Sequence, residues 1–224
     1  NDIYVIGSAN IDITGFSESD LIPLSSNSGV VSIALGGVGR NIAENLALLG
    51  INVNLVCAYG DDHFSRVLLD NCNMRNINLS RSLSLTNSHL STYLSILDPN
   101  GEMYLAVNNT NIINQITPDY LNSFIHKINT SSIVVIDCNL SERAIDFISK
   151  NAKPKIFVDG VSVEKVKKIS NYLDYVHTIH ININEAISLL TALGFSNISV
   201  SSSPKMICDK LSQYGVNTIL LTLG

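Results

Sequence analysis

The sequence predicts an α/β fold in which a mostly parallel sheet is covered by helices on both faces. Short apolar segments in its second half alternate with amphipathic ones, which is typical of parallel strands buried on both sides. The strands are expected at residues 133–136, 156–158, 176–179 and 218–223, and the helices at residues 117–128, 141–149, 162–169, 185–193 and 204–214. Two further observations refine this fold. A glycine-rich segment leads into a helix near residue 38, and a hairpin at residues 90–107 predicts a small separate β-sheet.

The N-terminal part opens with an apolar strand at residues 3–6, and a second strand at residues 30–35 leads into the glycines of residues 36–39. Apolar residues then recur at helical spacing as far as Gly50, where a left-handed C-terminal cap is expected. The helix therefore begins near Val38. Glycines at a helix start let the backbone approach a ligand, and the free N–H groups of the first turn favour anionic or hydroxyl-rich groups.

The middle of the chain continues the alternation. A strand is expected at residues 52–57, followed by a helix at residues 62–75 that Asp62 caps. The hairpin consists of strands at residues 90–97 and 102–107, joined by an Asp-Pro-Asn-Gly turn. It interrupts the series of helical units, so we expect it to stand apart from the main sheet.

Polar residues follow several of the predicted strands. Asp12, Asp137, Asn139 and Asp159 fall at or just after strand ends, with Asn10 close to the first of them. Because parallel α/β sheets bind ligands beyond the carboxyl ends of their strands, these residues predict one shared site. Capping of a local turn by Asn10 and Asp12 stays an open alternative.

Composition excludes several classes of function. The net charge of −5 leaves no basic stripe for nucleic acid, and Lys165, Lys167 and Lys168 are interpreted as the solvated face of one short helix. No apolar run approaches the length of a membrane span, and no signal peptide is evident, so a soluble, cytoplasmic protein without nucleic-acid or membrane partners is expected. The 4 cysteines form no C-x-x-C pattern, which favours reduced, mostly buried thiols.

Competing motifs fail on their spacing. Gly37-x-Gly39 begins a dinucleotide fingerprint, but Ile42 occupies the place of its third glycine. His177 and His180 lie three apart on a predicted strand and so point to opposite faces, which defeats metal chelation. The sequence contains neither a G-x-S-x-G elbow nor a P-loop.

One short motif leaves two readings open. Asn182-x-x-Glu185 stands where a strand passes into a helix. Its carboxylate either complements the helix dipole or orients the water shell of Mg²⁺, which asks for few carboxylates. The helix-dipole role is the more common of the two, and the sequence alone does not decide between them.

Taken together, these segments resemble the ribokinase-like, phosphofructokinase-B-type (PfkB) family of sugar and nucleoside kinases from Ile3 to Gly224. Residues 36–43 are similar to the first signature of that family, and four further blocks are similar to its pseudouridine-phosphorylating branch, at residues 7–12, 92–98, 101–103 and 137–141. The resemblance implies a central sheet with a β lid and transfer of the ATP γ-phosphoryl group to the 5′-hydroxyl of pseudouridine. Alternatives are a kinase for ribose, fructose or another nucleoside, a non-catalytic ribose-binding fragment, and a dehydrogenase.

The resemblance also implies the site residues and partners. Substrate contacts carry over to Asn10, Asp12, Gly36, Gly37, Gly39, Asn41 and Asn139, with Thr92 and Asn108 as candidates for contact with the base. ATP carries over to Asn182, Thr222 and Gly224, and Mg²⁺ to Glu185 through water. The resemblance further implies a lid of about residues 12–35 and 88–110 that closes over the sugar, and a homodimer that pairs through this lid.

The second signature of the family, Gly-Ala-Gly-Asp, supplies its catalytic base and does not occur in this sequence. The 224 residues are accordingly expected to correspond to the N-terminal two-thirds of one kinase domain and to be inactive alone.

Overall fold

The computed structural model describes residues 2–223 and contains a central six-stranded sheet, a smaller four-stranded sheet, a two-stranded sheet and helices on both faces of the central sheet. The strands are β1 (Ile3–Ile6), β2 (Asn10–Ser17), β3 (Gly29–Gly36), β4 (Val53–Val56), β5 (Ala58–Tyr59), β6 (Leu83–Ser84), β7 (Ser91–Leu97), β8 (Met103–Asn109), β9 (Ile133–Asp137), β10 (Lys155–Asp159), β11 (Val176–Asn182) and β12 (Thr218–Thr222). The helices are α1 (Val38–Leu48), α2 (His63–Met74), α3 (Pro118–Asn122), α4 (Ile125–Ile128), α5 (Glu142–Asn151), α6 (Ile183–Ala192) and α7 (Pro204–Ser212), with 3₁₀ segments at Asn111–Gln115 and Val166–Tyr175.

The central sheet has six parallel strands in the order β12-β11-β10-β9-β1-β4. All of its carboxyl ends therefore meet at one edge, as the sequence predicts. The register places Asp137 opposite Asp159 and Asn182 opposite Thr222 at that edge. The expected α/β fold class is confirmed.

The core is divided by the sheet. Tyr4 and Ile6 belong to one buried apolar cluster and Val5 to another, because successive strand residues point to opposite faces. Helix α1 packs on β1, β4 and β9. It begins at Val38 after Gly37, whose φ is +94°, and Gly50 follows it with a φ of +78°. Both termini thus agree with the sequence prediction, and Asp62 caps α2 by accepting from Ser65 N.

The second sheet, here called the lid sheet, contains β3, β2, β7 and β8 in that order. The predicted hairpin is confirmed as the antiparallel pair β7–β8. Strand β2 pairs antiparallel with β3 and parallel with β7. Strand β2 was not predicted from the sequence, and Asn10 and Asp12 lie inside it rather than at the end of β1.

Two predicted helices are wrong in detail. The helix expected at residues 117–128 is broken into α3 and α4, because Ser123 Oγ donates to Tyr120 O and the fully buried Phe124 leaves helical geometry with a φ of −136°. The helix expected at residues 162–169 is a 3₁₀ segment that begins only at Val166. Its buried residues Val166 and Ile169 are three apart, which suits three residues per turn.

None of the helices between residues 2 and 223 is both long and apolar enough to cross a membrane. The four cysteines are free thiols, three of them buried.

Candidate functional site

A cleft of about 260 Å³ opens at the carboxyl edge of the central sheet, where the lid sheet joins it. Its walls come from the β1–β2 connection, the start of α1, strand β7 and the segments after β9 and β10. The polar side chains that line it include Ser8, Asn10, Asp12, Asn41, Tyr93, Asn139 and Lys165. The structure therefore brings residues from distant parts of the chain to one place.

Asn10 and Asp12 lie two apart on β2 and face the cleft together. Asn10 Nδ2 donates to Asp12 Oδ1 over 2.6 Å. Gly36 lies opposite Asn10 on β3, and a Cβ built there would stand 2.1 Å from Asp12 Oδ2. Only glycine leaves room for this carboxylate. Burial raises the pKa of Asp12, an effect that the hydrogen bond from Asn10 and the charge of Arg40 oppose.

The other two glycines serve a close approach between protein segments. Gly37 adopts a positive φ, and a Cβ there would lie 2.5 Å from Ala9 Cα. Gly39 backs onto Gly7, and a Cβ there would lie 2.9 Å from Gly7 Cα. Gly37 lines the cleft, whereas the tight contacts of Gly36 and Gly39 are made within the protein.

A fully buried carboxylate, Asp137, joins these segments. Its Oδ2 accepts from Ser8 N at 2.8 Å, Ser8 Oγ at 3.0 Å and Gly39 N at 2.8 Å, and its Oδ1 accepts from Asn139 N at 2.9 Å. Burial raises the pKa of Asp137, and these hydrogen bonds oppose the rise. Asp137 was predicted only as one of several residues at strand ends, and no local signal in the sequence indicates Ser8 as its partner.

Asn139 follows β9 and reaches the cleft. Its Nδ2 donates to Ser8 Oγ at 2.8 Å, and its Oδ1 accepts from Lys165 Nζ at 2.5 Å. The interpretation of Lys165, Lys167 and Lys168 as one solvated face is therefore wrong. Lys165 lines the cleft, and Lys168 donates to Leu140 O at 2.6 Å. Burial lowers the pKa of Lys168.

Of the remaining candidates for substrate contact, Asn41 lines the cleft, whereas Thr92 and Asn108 do not. Asn41 lines the cleft from the first turn of α1, and its Oδ1 accepts from Arg40. On β7 it is Tyr93 that lines the cleft, while Thr92 points to the other face and donates to Leu90 O at 3.2 Å. Asn108 lies opposite Tyr93 in the register of the lid sheet but is exposed. Alternation along β7 means that only one of Thr92 and Tyr93 can face the cleft, and the register that pairs Asp12 with Tyr93 selects Tyr93.

The residues expected to contact ATP lie farther along the same edge. Asn182 ends β11 and pairs with Thr222, whereas Gly224 lies outside the described residues. Asn182 caps α6 by accepting from Glu185 N, and Glu185 Oε2 accepts from Asn182 N, both at 2.9 Å. This capping box confirms the helix-terminal reading of the motif and leaves its role toward Mg²⁺ as a prediction.

The side chains available as metal ligands limit how Mg²⁺ could bind near Glu185. Within residues 2–223 no group of three or more His, Cys, Asp or Glu side chains could hold a metal ion directly. Glu185 is buried at 6% exposure, with one carboxylate oxygen engaged in the cap. If Glu185 meets Mg²⁺, its second oxygen would be the one left for an outer-sphere contact through water, because Mg²⁺ keeps most of its waters. His180 instead lies 2.8 Å from Asp159, and His177 stacks on Phe157.

Several known proteins are similar to this chain in sequence. The model of the pfkB family carbohydrate kinases matches residues 1–224. Pseudouridine kinase of Escherichia coli (strain K12) is 38% identical over 225 residues, which cover 99% of this chain and 70% of that protein. The uncharacterized sugar kinase YeiI of the same strain is 33% identical, over 98% of this chain and 60% of its own length.

Solved structures show the same architecture. A carbohydrate kinase from Agrobacterium tumefaciens superposes with a TM-score of 0.83 at 23% identity, covering 100% of this chain and 70% of that one. Ribokinase from Arabidopsis thaliana, complexed with ribose and ATP, superposes with a TM-score of 0.80 at 19% identity, covering 99% and 72%. At these identities the likeness is one of fold.

Proposed function

Because the chain belongs to the pfkB family of carbohydrate kinases, we propose that it binds pseudouridine for ATP-dependent phosphorylation of the 5′-hydroxyl. The products are pseudouridine 5′-phosphate and ADP. The observation that carries the proposal is the Asn10–Asp12 pair in the cleft, with its carboxylate held by Asn10 and given space by Gly36. The identity of 38% with E. coli pseudouridine kinase favours this nucleoside over others.

The cleft suits a ribose. Asp12 Oδ1 accepts from Asn10, which leaves Oδ2 to accept from a sugar hydroxyl. Asn41 and Asn139 add amide groups from two other walls. A substrate that lacks one of the bound hydroxyls leaves a buried acceptor unpaired, at a cost of about 1–3 kcal/mol. Recognition by several fixed polar groups therefore favours a vicinal diol.

The reaction is an in-line phosphoryl transfer. The 5′-oxygen forms a bond to the γ-phosphorus while the bond from that phosphorus to the β–γ bridging oxygen breaks, and ADP leaves with the electron pair. The hydroxyl proton passes to a general base, which the family resemblance places in a Gly-Ala-Gly-Asp segment that these 224 residues do not contain. Positioning and electrostatic stabilisation supply most of the catalysis in such transfers.

Asn182 and Thr222 are assigned to the ATP side, since they share one edge with the sugar cleft. Mg²⁺ neutralises the charge of the phosphates when bound, and Glu185 would hold one of its waters. The lid sheet excludes water from the cleft, which protects ATP from hydrolysis.

A substrate panel tests the nucleoside. The protein in its full encoded length is assayed for ADP formation with pseudouridine, uridine, inosine, ribose and fructose. The proposal expects the highest kcat/KM for pseudouridine. A higher value for ribose or fructose contradicts the assignment and favours the sugar-kinase alternative, whereas binding of pseudouridine without turnover favours a non-catalytic binding module.

Substitution of Asp12 tests the site. Asp12→Ala is expected to raise KM for the nucleoside by about 10- to 150-fold, the equivalent of one lost charged hydrogen bond. Asp20→Ala is the matched control, because Asp20 is an exposed carboxylate in the loop between β2 and β3. Equal KM values for the two variants would remove Asp12 from the ribose site.

A homodimer through the lid sheet is part of the same proposal. Its edge strands expose large apolar side chains, among them Val31, Ile33, Leu105 and Val107, each more than half exposed. Patches of this kind are typical of interfaces. Sedimentation velocity should show a dimer that Ile33→Glu converts to a monomer, and a monomeric unsubstituted protein would contradict it.

A further inference from the structure

A short loop, residues 160–165, lies at the carboxyl edge of the central sheet. It follows β10, and β10 lies in the sheet between β9, which carries Asp137, and β11, which carries Asn182. Neighbouring strands are about 4.8 Å apart, so the loop stands between the sugar cleft and the proposed ATP side.

The start of the loop is tied to the ATP side. Gly160 N donates to His180 O at 3.0 Å, and a Cβ at Gly160 would lie 2.7 Å from Ile181 and 3.2 Å from Glu185 Oε2. Farther along, Val163 O accepts from Ser188 Oγ of α6 at 2.7 Å. The loop is thus packed against the helix that Asn182 and Glu185 cap.

The end of the loop is tied to the sugar side through Lys165 and Asn139. Ser8 Oγ has one proton, which goes to Asp137, so it accepts from Asn139 Nδ2. The Asn139 amide is thereby oriented with its oxygen toward Lys165, which donates to it at 2.5 Å. One of the three N–H groups of the Lys165 ammonium donates in this contact. The contact fixes the position of the ammonium group and leaves its other two N–H groups to donate to a ligand.

Backbone strain marks the same loop. Val161 has a φ of +66°, which is unfavourable for a β-branched residue. It lines the cleft beside Lys165. Strain of this kind persists where surrounding contacts hold it in place, and here they are the contacts to Asp159, α6 and Asn139.

Among the described residues, two charged side chains line the cleft. Lys165 is the one cationic side chain among the described residues that line it, and Asp12 is the one carboxylate. Transfer of a phosphoryl group concentrates negative charge between the donor and acceptor oxygens, and fixed cations stabilise it.

We propose that Lys165 is a catalytic residue that contacts the transferring phosphoryl group, held in place by Asn139 on one side and by the strained loop on the other. This inference rests on the proposed function. Lys165 donates hydrogen bonds to the equatorial oxygens of the phosphoryl group and keeps its own protons throughout.

The test compares four variants with the unsubstituted protein, all in their full encoded length, with pseudouridine and ATP. Lys165→Met removes the charge and the donor, Lys165→Gln keeps an N–H donor for Asn139 without the charge, and Lys165→Arg keeps the charge. Lys167→Met is the matched control, because Lys167 Nζ pairs with Glu164 at 2.7 Å on the exposed side of the same segment.

Loss of one preorganised donor at a transition state lowers kcat by about 100-fold or more, and this is expected for Lys165→Met and Lys165→Gln with KM changed by less than about threefold. Lys165→Arg should keep a larger part of kcat, and Lys167→Met should match the unsubstituted protein. The melting temperature of Lys165→Gln is measured to show that a loss of activity does not come from misfolding.

Two results would overturn the inference. A rise in KM with unchanged kcat would show that Lys165 binds the nucleoside and not the reacting group, and unchanged kinetics in Lys165→Gln would show that its charge is not needed. If the unsubstituted protein phosphorylates another sugar or nucleoside instead, the proposed substrate is wrong. The same comparison of kcat values on that substrate then decides the role of Lys165 by the same criteria.

Discussion

Asp137→Asn is the substitution that most directly tests how the cleft is held together. The carboxylate of Asp137 is fully buried and accepts hydrogen bonds from Ser8 N, Ser8 Oγ, Gly39 N and Asn139 N. All four partners donate, so an asparagine must turn its NH₂ group toward at least one N–H. One charge-assisted hydrogen bond is then lost and the other three are weakened.

The magnitude follows from these contacts. A hydrogen bond to a charged group contributes about 1.5–3 kcal/mol, and an unpaired buried donor adds a cost of similar size. Removing the charge offsets part of this, because burial raises the pKa of Asp137 and so disfavours its ionised form. We expect a net loss of about 3 kcal/mol in the free energy of unfolding, which lowers Tm by about 6–12 °C in a protein of this size.

Differential scanning calorimetry measures the shift, with Asp146→Asn as the control. Asp146 is on the surface of α5, where it pairs with Lys150 at 2.5 Å. Exposed ion pairs of this kind contribute little to the free energy of unfolding, so the control should have the same Tm as the unsubstituted protein. A Tm for Asp137→Asn that equals the control would refute the view that this carboxylate organises the site.

Three further predictions concern titration, metal and thiols. The raised pKa of Asp12 means that its carboxylate takes up a proton at a higher pH than an unfolded aspartate does. KM for the nucleoside should therefore rise as the pH falls toward that pKa, and a KM in Asp12→Asn with the same pH profile would contradict this. Glu185→Gln keeps an oxygen for the capping box but removes the charge, so it should raise the Mg²⁺ concentration for half-maximal activity with little change in Tm; an unaltered Mg²⁺ response would restrict Glu185 to helix capping. Cys57, Cys72 and Cys138 are buried, and burial raises the pKa of the Cys57 and Cys138 thiols to about 12 and of the Cys72 thiol to about 11. A thiol reagent at pH 8 should therefore modify only the partly exposed Cys208 before denaturation, and reaction of a second thiol in the native protein would disprove the burial of the other three.

Local signals were enough to predict much of the fold. The apolar runs located β1, β9, β10, β11 and β12, since a strand buried on both faces has few other compositions. Gly37 and Gly50 marked the ends of α1 because each adopts a positive φ that other residues avoid. The position of Asp137 and Asp159 at one sheet edge followed from parallel strand order alone.

The parts that sequence reasoning missed depend on long-range contacts. Strand β2 is stabilised by pairing with β7, about 80 residues later. Its residues from Asn10 to Thr14 alternate between polar and apolar, which is a strand signal, but the turn propensity of Asn10 and Asp12 obscured it. The contact from Ser8 to Asp137 spans 129 positions, and the contact from Lys165 to Asn139 links two loops. A lysine in a cluster of lysines is usually solvated, and only tertiary structure distinguishes Lys165 from Lys167.

The proposed ribose site is built from both sheets. Asn10 and Asp12 belong to β2, which is an inner strand of that sheet, whereas Asn139 and Lys165 belong to segments of the central sheet. A ribose that engages Asp12 and Asn139 together therefore joins the two sheets. Asp137, at the end of β9, accepts a hydrogen bond from Ser8 N, just before β2. This contact attaches the start of β2 to the central sheet. Because a ligand favours a conformation only by its differential affinity for it, a substrate that contacts both sheets would stabilise their observed arrangement, and one that lacks a hydroxyl would bind less tightly.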